Sequence, residues 1–122
     1  MEPCQFSLEK LWWQCMVSSA KIRSFCNAVA QQFRPRKIIL FGSHAYGRPN
    51  FDSDVDLLVI MPCVRRGGER MSVRIRHAVP RDFPLDLLVR TPMEVAKGLR
   101  QGDFFMREIM TQGKVMYETH SS

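Results

Sequence analysis

No stretch of the chain approaches the ~20 consecutive apolar residues that a membrane-spanning helix needs, so no membrane partner is expected. The first residues, MEPCQFSLEK, lack the basic-then-apolar order of a secretion signal. A cytoplasmic location is the expectation. The cysteines Cys4, Cys15, Cys26 and Cys63 fall into no CxxC or zinc-ligand spacing. They are expected to be reduced thiols, mostly filling core, rather than a disulfide framework. Internal repeats and low-complexity segments are also lacking. Between residues 64 and 81 acids are scarce: Arg65, Arg66, Arg70, Arg74, Arg76 and Arg81 face Glu69 alone.

What is present fits one modest domain. The chain has 122 residues, 45% hydrophobic and 25% charged, ordinary for a globular protein with one core. Residues 1–122 are expected to form a single domain. The formal net charge is +6 and the pI about 9.6, a surface that favours anionic partners such as nucleotides, nucleic acid or an acidic protein. Charge alone does not choose among them.

Helical spacing of Leu11, Trp12, Cys15, Met16, Ala20, Ile22, Cys26 and Ala30 predicts a helix over about 7–33, capped by Ser7 and stopped by Pro35. Trp12 and Trp13 read as core or interface anchors rather than base-stacking platforms. Lys37–Phe41 reads as a buried strand. His44–Gly47 suggests a short helix, Arg48-Pro49-Asn50 a turn, and Val55–Ile60 a second buried strand. Residues 64–79 are ambiguous: Met71, Val73 and Ile75 alternate like a strand, whereas Met71, Ile75 and Ala78 fit a helix face. Phe83–Val89 reads as a third strand. Thr91-Pro92-Met93-Glu94 carries a helix start with a capping Thr, Pro at the first position and Glu three after the cap. Asp103 caps a further helix ending at Gly113, a short strand follows over Lys114–Glu118, and His120–Ser122 is expected to fray. Strands alternating with helices predict an α/β (α+β) fold, a small mixed sheet flanked by helices.

The stretch FGSHAYGRPNFDSDVDLLVI, residues 41–60, carries the chemistry. Asp54 and Asp56 alternate where a buried strand begins, so they lean toward one volume. Two nearby carboxylates are costly unless a cation lies between them. Oxygen donors without His or Cys beside them suit a hard ion, Mg²⁺ or Mn²⁺. Asp86 interrupts the third apolar strand as Asp56 abuts the second. Were those strands neighbours, three carboxylates would converge at one sheet edge and could hold two ions, the arrangement that serves nucleotidyl transfer. Gly42-Ser43 follows a strand and opens a helix, a turn suited to phosphate. The plainer readings are turn chemistry for Asp52, Ser53 and Asp54, an ordinary strand-to-helix turn for Gly42-Ser43, and a partly exposed strand residue for Asp86.

Gly42-Ser43, ten intervening residues, Asp54-Val55-Asp56, and Asp86 in FPLDLLV together resemble the minimal nucleotidyltransferases of the DNA polymerase β-like nucleotidyltransferase superfamily. Gly47, Ser53, Leu57 and the tail DFFMREIMTQGKVMYE fit as well. The resemblance covers roughly residues 25–118, with a catalytic core about 36–118. It implies that Gly42 and Ser43 bind nucleotide phosphates. Asp54, Asp56 and Asp86 would be the catalytic, metal-holding residues, with Asp86 also assisting the acceptor hydroxyl. Two Mg²⁺ ions and ATP as substrate are implied. Stand-alone members are similar to antitoxins that move AMP from ATP onto a tyrosine of a HEPN-domain ribonuclease toxin. The expected function is therefore protein adenylylation of such a partner. The alternatives are an aminoglycoside-type, small-molecule nucleotidyltransferase working as an oligomer, a steric antitoxin, and a basic nucleic-acid-binding module. Direct nucleic-acid binding is not expected, and a homo- or hetero-oligomer is left open.

Overall fold

The structure, a computed structural model, describes residues 19–47 and 54–119. The expected helical stretch before Ser19, with both tryptophans, Cys4 and Cys15, lies outside these residues. So do the Arg48–Asn50 turn, Asp52, Ser53 and the frayed tail expected over His120–Ser122.

Helix α1 (Ser19–Phe33) buries Ile22, Phe25, Cys26, Val29 and Ala30, one stripe at three- and four-residue spacing. Arg34 closes it with φ of 50° and its N–H on the Ala30 carbonyl at 3.0 Å, and Pro35 follows. Strand β1 (Lys37–Phe41) then enters the middle of the sheet. After the one-turn helix α2 (Ser43–Tyr46), strand β2 (Val55–Ile60) returns antiparallel to β1.

The ambiguous segment resolves into two pieces. A two-residue hairpin pairs β3 (Arg65–Arg66) with β4 (Glu69–Arg70) around Gly67-Gly68, both at positive φ (61° and 85°), which suits a tight hairpin turn. Helix α3 (Met71–Ala78) follows and buries Met71 and Ile75. The strand-like alternation at Met71, Val73 and Ile75 was therefore the wrong period.

Strand β5 (Leu85–Arg90) lies parallel to β2. It begins two residues later than the sequence suggests, because Pro84 has no N–H to contribute and Phe83 turns to pack edge-on against Phe25, centroids 5.9 Å apart. Helix α4 (Pro92–Arg100) has the expected capping box: the Thr91 hydroxyl accepts from the Glu94 N–H at 3.0 Å, and the Thr91 N–H donates to Glu94 Oε1 at 2.9 Å. Helix α5 (Phe104–Gln112) is capped by Asp103, whose Oδ1 accepts from the Phe105 and Met106 N–H groups. Strand β6 (Lys114–Glu118) completes the sheet beside β1. The order β5-β2-β1-β6 makes a four-stranded mixed sheet flanked by helices.

Strand alternation sends side chains to two separate cores. Ile38, Leu40, Val55, Leu57, Val59, Leu85, Leu87 and Val89 pack beneath α1 and α3. Ile39, Phe41, Leu58 and Ile60 pack on the other face with Val95, Met106 and Ile109 of α4 and α5. Full burial of one such side chain stabilises by about 1.5–3 kcal/mol. Cys26 belongs to the first core, and burial pushes its thiol up to about 12. Cys63 is exposed, and both thiols are free.

Candidate active site

One end of the sheet gathers the predicted residues. Because β1 runs antiparallel to β2, its exit at Phe41 pairs with Asp56 at the entry of β2. Because β5 runs parallel to β2, its own entry falls at the same end, and Asp56 stands in register with Asp86. Side chains in register on adjacent strands share a face, so Asp56 and Asp86 lie on the side that carries Leu58 and Ile60. Asp54 immediately precedes β2. Asp56 is half-buried, whereas Asp54 and Asp86 are exposed.

Gly42 brings the backbone against this pair. Its φ of 77° and ψ of −159° lie in a region that only glycine occupies readily. A Cβ at that position would collide with the Asp56 carboxylate oxygen Oδ2. The Gly42 carbonyl accepts from the Ala45 and Tyr46 N–H groups at 3.0 Å each, which starts α2. Gly47, at φ 78°, closes it in the left-handed conformation. Ser43 is the first residue of α2 and is half-buried.

Burial first, then the charges of Asp86 and Asp54, hold the Asp56 carboxyl above the usual carboxylate range, while His44 pulls it down. Tyr46 is raised by burial, by its hydrogen bond to Glu108 and by the Glu108 charge. Phe105 packs edge-on against Phe41, centroids 5.6 Å apart, and Phe104 beside it is 84% exposed. His44, Tyr46 and Glu108 are contributors that sequence reasoning missed. The first two sit one and three residues after Ser43 and could have been found from the helical turn of α2. Glu108 comes from a distant helix and carries no local signal.

The donor set fits a hard divalent cation. It is all oxygen, and the burial and the repulsion from Asp86 and Asp54 that raise Asp56 are what a cation would offset. As the side chains stand, no three acid, His or Cys groups among the described residues are drawn together around one point. Chemically, carboxylates beside a glycine-opened turn can hold a cation and, through it, a polyphosphate.

The chain matches the nucleotidyltransferase domain family over residues 22–110 and belongs to that family. Its fold is similar to that of a protein from Sulfolobus solfataricus assigned as a nucleotidyltransferase (TM-score 0.51, 19% identity, 84% of this chain and 82% of that one). It is similar to a toxin–antitoxin structure with AMP-PNP (TM-score 0.50, 22% identity, 80% and 74%). It is also similar to a tyrosine-to-alanine mutant of the toxin–antitoxin MntA–HpeT (TM-score 0.50, 22% identity, 86% and 76%). No curated protein sequence matches the chain. The family and the sheet thus define a nucleotidyltransferase domain.

Proposed function

We propose that this protein transfers AMP from ATP to a tyrosine hydroxyl of a partner toxin of the HEPN class, and thereby acts as its antitoxin. The observation that carries the transfer reading is the register of Asp56 with Asp86 on adjacent strands, with Gly42 against Asp56. The toxin–antitoxin structures of similar fold, one with an ATP analogue, favour ATP and a protein acceptor.

Asp54, Asp56 and Asp86 would hold Mg²⁺ or Mn²⁺. The metal supplies charge neutralisation for the triphosphate and the developing pyrophosphate. Gly42 lets the backbone and the Ser43 hydroxyl lie along the phosphates without a side chain between them. Asp86, exposed at the sheet edge, orients the acceptor hydroxyl and takes up its proton. The acceptor oxygen bonds to the α-phosphorus, the bond from that phosphorus to the bridging oxygen of the β-phosphate breaks, and pyrophosphate leaves. Little covalent work falls to the protein, so rate enhancement comes from positioning and electrostatics.

The test is incubation of purified protein with labelled ATP, Mg²⁺ and lysate of its own host, beside the Asp54→Asn/Asp56→Asn variant. Label on one protein band with wild type alone is expected, a loss on the order of 10³-fold or more in the variant. Label appearing only on added small hydroxyl compounds would move the acceptor to a small molecule. Equal inhibition of a bound partner by both forms, with no label, would sink the catalytic reading.

A further inference from the structure

The outer edge of β5 is unfilled among the described residues. β5 ends the sheet, with β2 on its inner side only. The Val55 N–H donates to the Pro84 carbonyl and the Met61 N–H to the Arg90 carbonyl, both at 3.0 Å. Even-numbered residues of β5 therefore turn their backbone groups toward β2, and Leu85, Leu87 and Val89 turn theirs outward. Arginines occupy two of the outward carbonyls. Arg76 donates to Leu85 O at 3.0 Å, and Arg90 donates to Val89 O at 2.9 Å. Between them, the N–H and C=O of Leu87 meet no hydrogen-bond partner among the described residues.

A groove of about 450 Å³ runs along this edge. Its floor is Leu87–Val89, the hairpin and α3 contribute Arg65, Arg70 and Ser72, and Arg90 and Glu94 come from the end of β5 and α4. Glu94 is already committed to its capping box, so three arginines dominate the groove. The segment around it carries six arginines against Glu69.

We propose that this edge docks an extended, acidic segment of a partner protein, added to β5 as a further strand centred on Leu87. A peptide residue carries the amide donor and acceptor that Leu87 needs, spaced for a strand ladder, whereas the phosphates of a nucleic-acid strand only accept. Acidic side chains complement Arg65, Arg70 and Arg90. Register then has a consequence. The added residue beside Asp86 projects to the face Asp86 occupies, with Cβ atoms roughly 4.5–5.5 Å apart, so a hydroxyl-bearing residue there reaches the catalytic edge. Its neighbour, paired with Leu87, projects to the other face, toward Arg65 and Arg70. The recognised segment is thus an extended one in which the acceptor residue is flanked by acids. Delivery of the hydroxyl rests on the nucleotidyl-transfer reading above; the docking does not.

Binding is measured without nucleotide or metal, by fluorescence anisotropy. The probe is a fluorescein-labelled Val-Glu-Tyr-Glu-Val-Glu peptide. Comparators are the peptide with Lys for every Glu, the peptide N-methylated at the Glu before Tyr, which an antiparallel added strand sets opposite the outward backbone groups of Leu87, and a short oligouridylate. The acidic peptide is expected to bind. N-methylation removes one backbone hydrogen bond and should weaken binding about tenfold. Arg65→Ala/Arg70→Ala should weaken it at least as much, and Arg23→Ala, on the exposed side of α1, should leave it unchanged. Equal binding of the N-methylated or Lys peptide would overturn strand addition. So would absence of peptide binding at millimolar concentration, or oligouridylate binding that alone responds to the arginine variants. Loss of labelling activity with peptide binding intact would count against the transfer reading only. Labelling with no peptide binding would count against this inference only.

Discussion

The two faces of the sheet are built from the same strands and do different things. In VDLLVI, residues 55–60, the odd-numbered Val55, Leu57 and Val59 enter a closed core beneath α1 and α3, each fully buried. The even-numbered set is apolar at Leu58 and Ile60 but opens on Asp56, half-buried at the sheet's end. β5 repeats the division, with Leu85, Leu87 and Val89 on one side and the exposed Asp86 on the other. One face is therefore packed along its whole length, while the other gives up its end to charge.

Substitutions on the packed face should cost most. Leu57→Ala should lower unfolding free energy by about 2–5 kcal/mol, from lost transfer energy plus a cavity, read from chemical denaturation. A loss below 1 kcal/mol there would mean that the closed core is not what holds the sheet. At the boundary, Gly42→Ala meets both the positive φ and the Asp56 carboxylate. It should cost about 1–3 kcal/mol and abolish labelling even in the fraction that stays folded.

On the charged face the sign reverses. Asp56→Asn removes a like-charge pair directly across from Asp86 and should stabilise the metal-free protein by roughly 0.2–1 kcal/mol. Added Mg²⁺ should raise the melting temperature of wild type and not of this variant. Destabilisation by Asp56→Asn would break the contrast between the faces. The smallest effect belongs to the surface. Lys21 and Asp82 pair at 2.9 Å with both side chains largely exposed, and the hydrogen bond and charge of Lys21 hold the Asp82 carboxyl below its ordinary value. A depressed carboxylate adds stability above its unfolded pKa, near 3.8, and that stability is lost as pH falls through the folded value. Lys21→Met should flatten the acid limb of the stability curve slightly, and salt should erase the difference.

The alternation that separates the faces is legible in the sequence, as are the caps at Thr91 and Asp103, because each depends on residues within a few positions of one another. In the region 64–79 the sequence left a strand and a helix open, and the structure has the helix over Met71–Ala78. Its period is masked by a Gly67-Gly68 turn that flips the chain just before Met71. The start of β5 was displaced because Phe83 has a partner, Phe25, far away in the chain.

What the sequence determines by itself is the inventory: Gly-Ser after an apolar run, Asp54 and Asp56 at the mouth of a second, and Asp86 inside a third. Such spacing is local, and local spacing fixes which residues share a strand and a face. Strand order and direction were decided only by tertiary structure. An antiparallel β1 and a parallel β5 on either side of β2 bring Gly42, Asp56 and Asp86 to one end. The same packing placed Glu108 against Tyr46 and His44 near Asp56, and left the edge of β5 facing a groove of arginines. These are contacts between distant parts of the chain, set by how the helices cover the sheet.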